Sequence, residues 1–382
     1  MITFALLALG LNSLIAASLT WNGAGDGTTM NSGANWVGGT APVANDSLFF
    51  DGSTGLAPNN NYAANTAFVG ITFNSGAGAF TFSGNTINVG GGVTNSSANL
   101  QTIGNTLTIG AARDFVLQAD MVLNGSANTS GGRIVKSGPS TLTLGGTTDN
   151  SFGTVTVNQG TVVLAKTSTG SVAAIGGDST VNTNGILVIR GTGGNQVFSG
   201  ASIILNAGLC QYQATNQVEE VKMLRGTNTL SILENGLANS TNTFRVGGGR
   251  NGHAIYGGTI RDGAAAFGVL AFTIQLSGNM MVFTGTNTYS GTTSINNNDG
   301  TGTTATRLIV NGVHTGGGLY DVIGRSTTAA NQGVLGGSGL ISAALMNFGV
   351  NTALAPGGSL NSEANTSTYS DTTAILTSVM RR

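Results

Sequence analysis

The sequence predicts an all-β fold, a right-handed single-stranded parallel β-helix or β-solenoid, and three observations predict it. Apolar residues come as short alternating pairs, the mark of strands of three to five residues that bury one face. Between the pairs stand clusters of Asn, Gly and Ser, which supply left-handed backbone and side-chain-to-backbone bonds in tight turns. The third observation is compositional: Gly, Thr, Asn and Ser make up 186 of the 382 residues, while only 14 are basic and 15 acidic. Equivalent positions in stacked coils lie about 4.8 Å apart, so a ladder of like charges would repel where Asn and Thr ladders hydrogen-bond.

Residues 1–18, MITFALLALGLNSLIAAS, carry an apolar stretch from Phe4 to Ala17 followed by small residues. This is the layout of a secretory signal peptide, with Ala16 and Ser18 placed for cleavage. It departs from that layout in one respect, because no Lys or Arg precedes Arg113. The apolar run is interrupted by Asn12 and Ser13 and is shorter than the ~20 residues a spanning helix needs. From residue 19 to 125 the strand pairs are Ile71 and Phe73, Phe80 and Phe82, Ile87 and Val89, Leu107 and Ile109, and Phe115 and Leu117. These read as the N-terminal solenoid coils. The same rhythm runs through 126–345, with Val155 and Val157, Val162 and Leu164, Ile186 and Val188, Ile203 and Leu205, and Leu308 and Val310. No amphipathic helix interrupts it. Residues 346–382 read as a degenerate or truncated tail. At about 22 residues per coil the expectation is about 16 or 17 coils and a rod about 80 Å long.

A long-range repeat supports stacking. Residues 138–164 and 278–310 share an order of Gly, strand, Gly-Thr, small-polar turn, aromatic, second strand, Asn and third strand, matching Gly146 to Gly285, Phe152 to Tyr289 and Asn158 to Asn296. The second copy is expanded after Asn296 by NNDGTGTTATR, a length change that a solenoid takes up as a loop on one face.

FTGTNTYSGTTSIN at 283–296, LIVNG at 308–312, KSGPSTLTLGG at 136–146, and VLGGSGLI at 334–341 followed by ALAPGGS at 353–359 resemble the autotransporter-associated β-strand repeat, also called the passenger-associated transport repeat. Residues 19–52, with Trp21, Trp36, Pro42, Asp46 and Phe49, resemble the opening coil of large exported proteins that carry these repeats. The resemblance implies an exported, surface-displayed or secreted passenger with a parallel β-helix and no catalytic residue. The sequence departs from the family in showing neither a translocating barrel nor a terminal sorting anchor, and in the tail after ALAPGGS.

Composition limits the chemistry. A net charge of −1 without a basic run removes the electrostatic handle for nucleic acid or an anionic membrane. One cysteine, Cys210, excludes an intrachain disulfide framework and multi-thiolate zinc, and it reads as a buried structural thiol. His253 and His314 stand in Gly-rich surroundings and read as turn residues. GAGDG at 23–27 reads as a turn and not as a calcium repeat, which needs tandem copies. GGGRNG at 247–252 is followed by no helix to offer phosphate its N-terminus.

The rival reading is a carbohydrate-active β-helix enzyme, a polysaccharide lyase or hydrolase, working with carboxylates, a calcium and a cation on one face. Its candidates are Glu219, Glu220, Lys222, Arg225 and Glu234. Alternation directs Glu220, Lys222 and Glu234 outward and Glu219 inward. Asp149, Asp178 and Arg190 form a second, scattered set. The leading expectation assigns no catalytic, cofactor or metal residue and no cofactor. It describes a non-catalytic exported stalk or adhesin whose partners are extracellular glycans or other cell-surface components. Tyr256, Tyr289 and Tyr320 are the candidate stacking platforms, and self-association through the solenoid ends is expected from unpaired strand edges.

Overall fold

The computed structural model describes residues 16–128, 132–150, 153–167, 172–192, 194–263, 268–297, 304–324 and 332–357, together with the backbone of 377–378. The expected signal peptide therefore lies outside the described residues as far as position 15, as does most of the tail beyond Gly357.

Alternation along each short strand decides which side chains enter the core. Ser47–Phe50, Gly70–Phe73, Thr141–Leu144 and Thr154–Val157 all bury every second residue. Among the described residues every strand pair is parallel and joins one coil to the next, and Leu48, Ile71, Val93 and Phe115 follow one another in a single register. All four are buried, each contributing about 1.5–3 kcal/mol of apolar transfer. The expected parallel β-solenoid is what the chain forms. Among the described residues, its helical content is one 3-10 turn, Gly33–Asn35.

The cross-section has three sides. One face is a ten-stranded sheet from Ser18–Trp21 to Leu224–Arg225, continued by a five-stranded sheet from His253–Tyr256 to Thr352–Pro356, the two joined through the Gly226 to Tyr256 bridge. A second face stacks ten strands from Asn59–Asn60 to Thr259–Arg261. The third face is interrupted. Four strands end at Ala127–Asn128, and an eight-stranded sheet begins at Val218–Val221. After a first turn of 29 residues, from Ser18 to Ser47, turns advance by 20 to 25 residues in the first part, as from Gln101 to Met121 and from Gly160 to Gly185. They advance by 27 further on, from His253 to Met280 and on to Arg307. Longer turns give fewer coils than the 16 or 17 expected. Pairing continues through Leu340–Phe348 and Thr352–Pro356, so the stack crosses the expected boundary at 345 without a break.

The first coil is closed by aromatic packing. Trp21 and Trp36 meet edge to face at 5.3 Å, Trp36 Nε1 donates to Met30 O at 2.7 Å, and Phe50 packs against both rings. Asp46, singled out in the sequence, accepts the N–H groups of Ala17 and Val43 and ties this coil together.

Asparagine does two jobs. Among the described residues, seven of the nine non-glycine residues with positive φ are Asn, including Asn65, Asn184 and Asn251, because a short polar side chain tolerates that conformation. Others form the anticipated ladder: Asn182 Nδ2 donates to Asn158 Oδ1 at 2.8 Å, and Asn206 Nδ2 donates to Asn182 Oδ1 at 3.2 Å.

The sequence repeat proves to be one turn of the solenoid. In the first copy Thr141–Leu144 pairs with Gly160–Leu164 on the second face, with Thr154–Val157 on the first face between them. In the later copy Met280–Phe283 pairs with Thr306–Val310 on the first face, with Thr293–Asn296 on the third face between them. The copies match after rotation by one face. Phe152 and part of the expanded turn after Asn296 lie outside the described residues.

Candidate functional site

The charged stretch from Arg190 to Arg261 spans several turns, and strand register decides which of its side chains meet. Val188, Gln211, Glu234 and Arg261 occupy one outward row of the second face. Arg261 Nε donates to Glu234 Oε2 at 2.7 Å, and Gln211 Nε2 donates to Glu234 Oε1 at 2.7 Å. Gln211 Oε1 in turn accepts from Gln213 at 2.6 Å, and Gln213 Oε1 accepts from Arg190. The result is a hydrogen-bonded polar chain running over four turns. Both oxygens of Glu234 are engaged, so it serves as an anchor within the chain.

Glu220 belongs elsewhere. It lies on Val218–Val221 of the third face and pairs with Arg245 one turn further on, at 3.4 Å. Lys222 is exposed just beyond that strand. The outward grouping of Glu220, Lys222 and Glu234 expected from alternation is therefore split between two faces, because the chain turns a corner after Val221.

Glu219 points inward as expected and is 1% exposed. Its carboxyl oxygens accept the N–H groups of Gln196 at 2.9 Å and Val197 at 2.7 Å, one turn back. Burial, helped by the neighbouring Glu220, raises its pKa to about 8 against the pull of those two donors. Cys210 is fully buried and free, and burial pushes its thiol far above the usual range, which leaves little thiolate for nucleophilic chemistry.

The aspartates repeat one arrangement. Asp120 accepts the N–H of Thr141, Asp149 that of Ala173, and Asp178 that of Ser202, at 2.6 to 2.8 Å. Asp262 accepts from Leu270 and Ser290. Each acid fastens backbone on a neighbouring turn, and Asp149, Asp178 and Arg190 do not converge on a common point. Asp26, in GAGDG, accepts from Thr28, Thr29 and Asn35, and these bonds hold its carboxyl well below the usual range. That is the turn read from the sequence.

The histidines and tyrosines differ from expectation. His253 and His314 lie on strands His253–Tyr256 and Val313–Ile323, not in turns. His314 is buried, stacks on Tyr289 at 4.2 Å, and bonds Tyr320 Oη at 2.5 Å and Tyr289 O at 2.9 Å. Burial lowers its pKa. Tyr256, Tyr289 and Tyr320 are all 0% exposed and cannot act as stacking platforms. Their rings fill positions that the inward face of the stack demands.

Two buried lysines carry no signal in the sequence. Lys136 Nζ donates to the carbonyls of Ser137, Gly138 and Gln159, whereas Lys166 Nζ is buried without a hydrogen-bond partner. Burial lowers both to about 8. Among the described residues, no three His, Cys, Asp or Glu side chains are placed to hold a metal ion, and no helix is long and apolar enough to cross a membrane. Comparison with protein-family models, with curated proteins and with solved structures returned no match.

Proposed function

We propose that the chain is a non-catalytic, exported β-helical protein of the passenger type, acting as a stalk or adhesive surface. One observation carries this reading: Asp46, Asp120, Asp149, Asp178, Asp262 and Glu219 each accept backbone N–H groups from an adjacent turn. Carboxylates bound this way are acceptors in a scaffold. They lack the paired environments that drive one acid up and its neighbour down in glycosidic catalysis. The repeat that resembles passenger-associated sequences occupies one solenoid turn per copy, which fits a lengthening element. Export through the N-terminal leader and display outside the cell belong to the same reading.

The test combines location and activity. Expressed with its leader, the chain should be recovered outside the inner membrane. The purified protein should leave plant and algal polysaccharides intact while binding a glycan panel or whole cells. Release of unsaturated or reducing sugars, lost in Asp178→Asn or Glu220→Gln, would place the chain among β-helical carbohydrate-active enzymes instead.

A further inference from the structure

We propose that a notch in the first turn is a binding site for a neutral sugar ring, a proposal that rests on the adhesive reading above. The notch is a cavity of about 350 Å³ bounded by Thr20, Asn22, Val37, Asp51, Ser53 and Thr54. That volume lies at the small end of ligand sites, about 300–1,000 Å³, and suits a terminal residue of a glycan better than an extended chain.

Its frame is preformed. Val37 N donates to Thr20 O at 2.9 Å, Gly78 N to Gly52 O at 2.8 Å, and Trp21 Nε1 to Gly55 O at 2.9 Å. Gly23 and Gly55 are both left-handed, and a Cβ on Gly23 would stand 2.8 Å from Gly55 Cα, so the two loops touch through bare backbone. A rigid rim lowers the ordering cost of binding.

The polar side chains of the lining keep capacity for a ligand. Asp51 is oriented by the Gly52 N–H at 2.8 Å and by Asn74 Nδ2 at 3.2 Å, and each carboxylate oxygen retains a lone pair. Asn22 Oδ1 accepts from Ala24 N, which leaves its NH₂ group as a donor. The hydroxyls of Thr20, Ser53 and Thr54 take part in no side-chain hydrogen bond among the described residues. Val37, 57% exposed, adds an isopropyl wall.

This chemistry selects its ligand. One carboxylate without a lining cation disfavours phosphates, sulfates and uronates. Hydroxyls, an amide and an oriented carboxylate match the alternating donor and acceptor character of sugar hydroxyls, while Val37 meets the C–H face. With the tyrosines buried, the notch offers what those rings cannot.

The full chain is titrated with methyl glycosides of neutral hexoses and with a uronate control, by ligand-observed NMR and calorimetry. Saturable binding of at least one neutral hexoside in the millimolar range is expected, without uronate binding. Val37→Arg, which fills the notch from an exposed position, should weaken it about tenfold or more, and Asp51→Asn should weaken it while still accepting the Gly52 N–H. Circular dichroism and melting temperature check that both variants fold. Equal hexoside binding by the wild type and both folded variants, or no hexoside binding at tens of millimolar, overturns the notch. Adhesion to cells is measured in parallel. Adhesion by a chain that binds no hexoside sinks the notch but not the adhesive reading, and hexoside binding by a chain that adheres to nothing sinks adhesion but not the notch.

Discussion

Glu219 places a carboxyl group inside the solenoid, where two backbone N–H groups hold it and burial penalises its charge. Its pKa rises from 4.5 to about 8, so between those values the folded chain binds a proton that the unfolded chain has lost. Stability from this group is therefore greatest below pH 4.5 and falls as pH climbs toward 8, by at most about 1.4 kcal/mol for each pH step of one. Denaturant melts between pH 4 and 9 should show this decline in the wild type and a flatter profile in Glu219→Gln. At pH 5 the variant should be weaker by about 1–3 kcal/mol, since an amide oxygen cannot serve both donors. A slope unchanged by the substitution would remove Glu219 as its source. The inward direction of Glu219 was legible from alternation with Glu220. What fills the inside was not, because a period of two assigns a side and says nothing of the backbone across from it. For the same reason His314, set among glycines, looked like a turn residue, and the three tyrosines like candidate stacking platforms.

At the scale of the strand and turn, what limits the stack is how closely neighbouring coils approach. Gly146 is left-handed, and a Cβ there would lie 2.0 Å from the Asn124 carbonyl one turn back, whereas Gly38, also left-handed, faces open space. Gly146→Ala combines the left-handed penalty, about 1–2 kcal/mol, with a steric displacement costing about 1–3 kcal/mol. Gly38→Ala should cost only the first of these. Thermal melts of the two variants should separate accordingly, and equal losses would show that coil contact is not the limiting factor at Gly146. The sequence matched Gly146 to Gly285 as equivalent repeat positions, and both prove to be such contacts, for a Cβ on Gly285 would meet the Gly258 carbonyl at 2.1 Å. The rotation by one face between the copies was hidden. Alternation distinguishes in from out but does not count sides, and the short crossings at Thr286–Asn287 and around Asn150 carry too few residues to announce a third one.

For the whole molecule, stability is close to a sum of turn-to-turn interfaces, and those interfaces are unequal. From Ser47 to Asn128 three ladders join each coil to the next, and from Val218 onward all three faces again carry strands, although among the described residues the two sheets of the first face are joined there by the single bridge of Gly226 to Tyr256 and the second-face sheet ends at Thr259–Arg261. Among the described residues between Asn128 and Val218 only two faces carry strands, and the third contributes the single bridge of Ile175 to Val197. Asp149, Asp178 and Glu219 fasten backbone within this stretch or at its far edge, supplying by side chain part of what the missing ladder would provide. Such bonds are local, so sub-global opening should begin there. Hydrogen exchange should find Thr154–Val157 and Ser179–Val181 about tenfold less protected than Ala112–Leu117 and Thr241–Val246, a gap of about 1.4 kcal/mol. The difference should widen as pH rises from about 4.5 to 8 and level off above it, where Glu219 is ionised in the folded chain as well. Uniform protection along the first face would mean that two ladders and a row of carboxylates hold a coil as firmly as three ladders do.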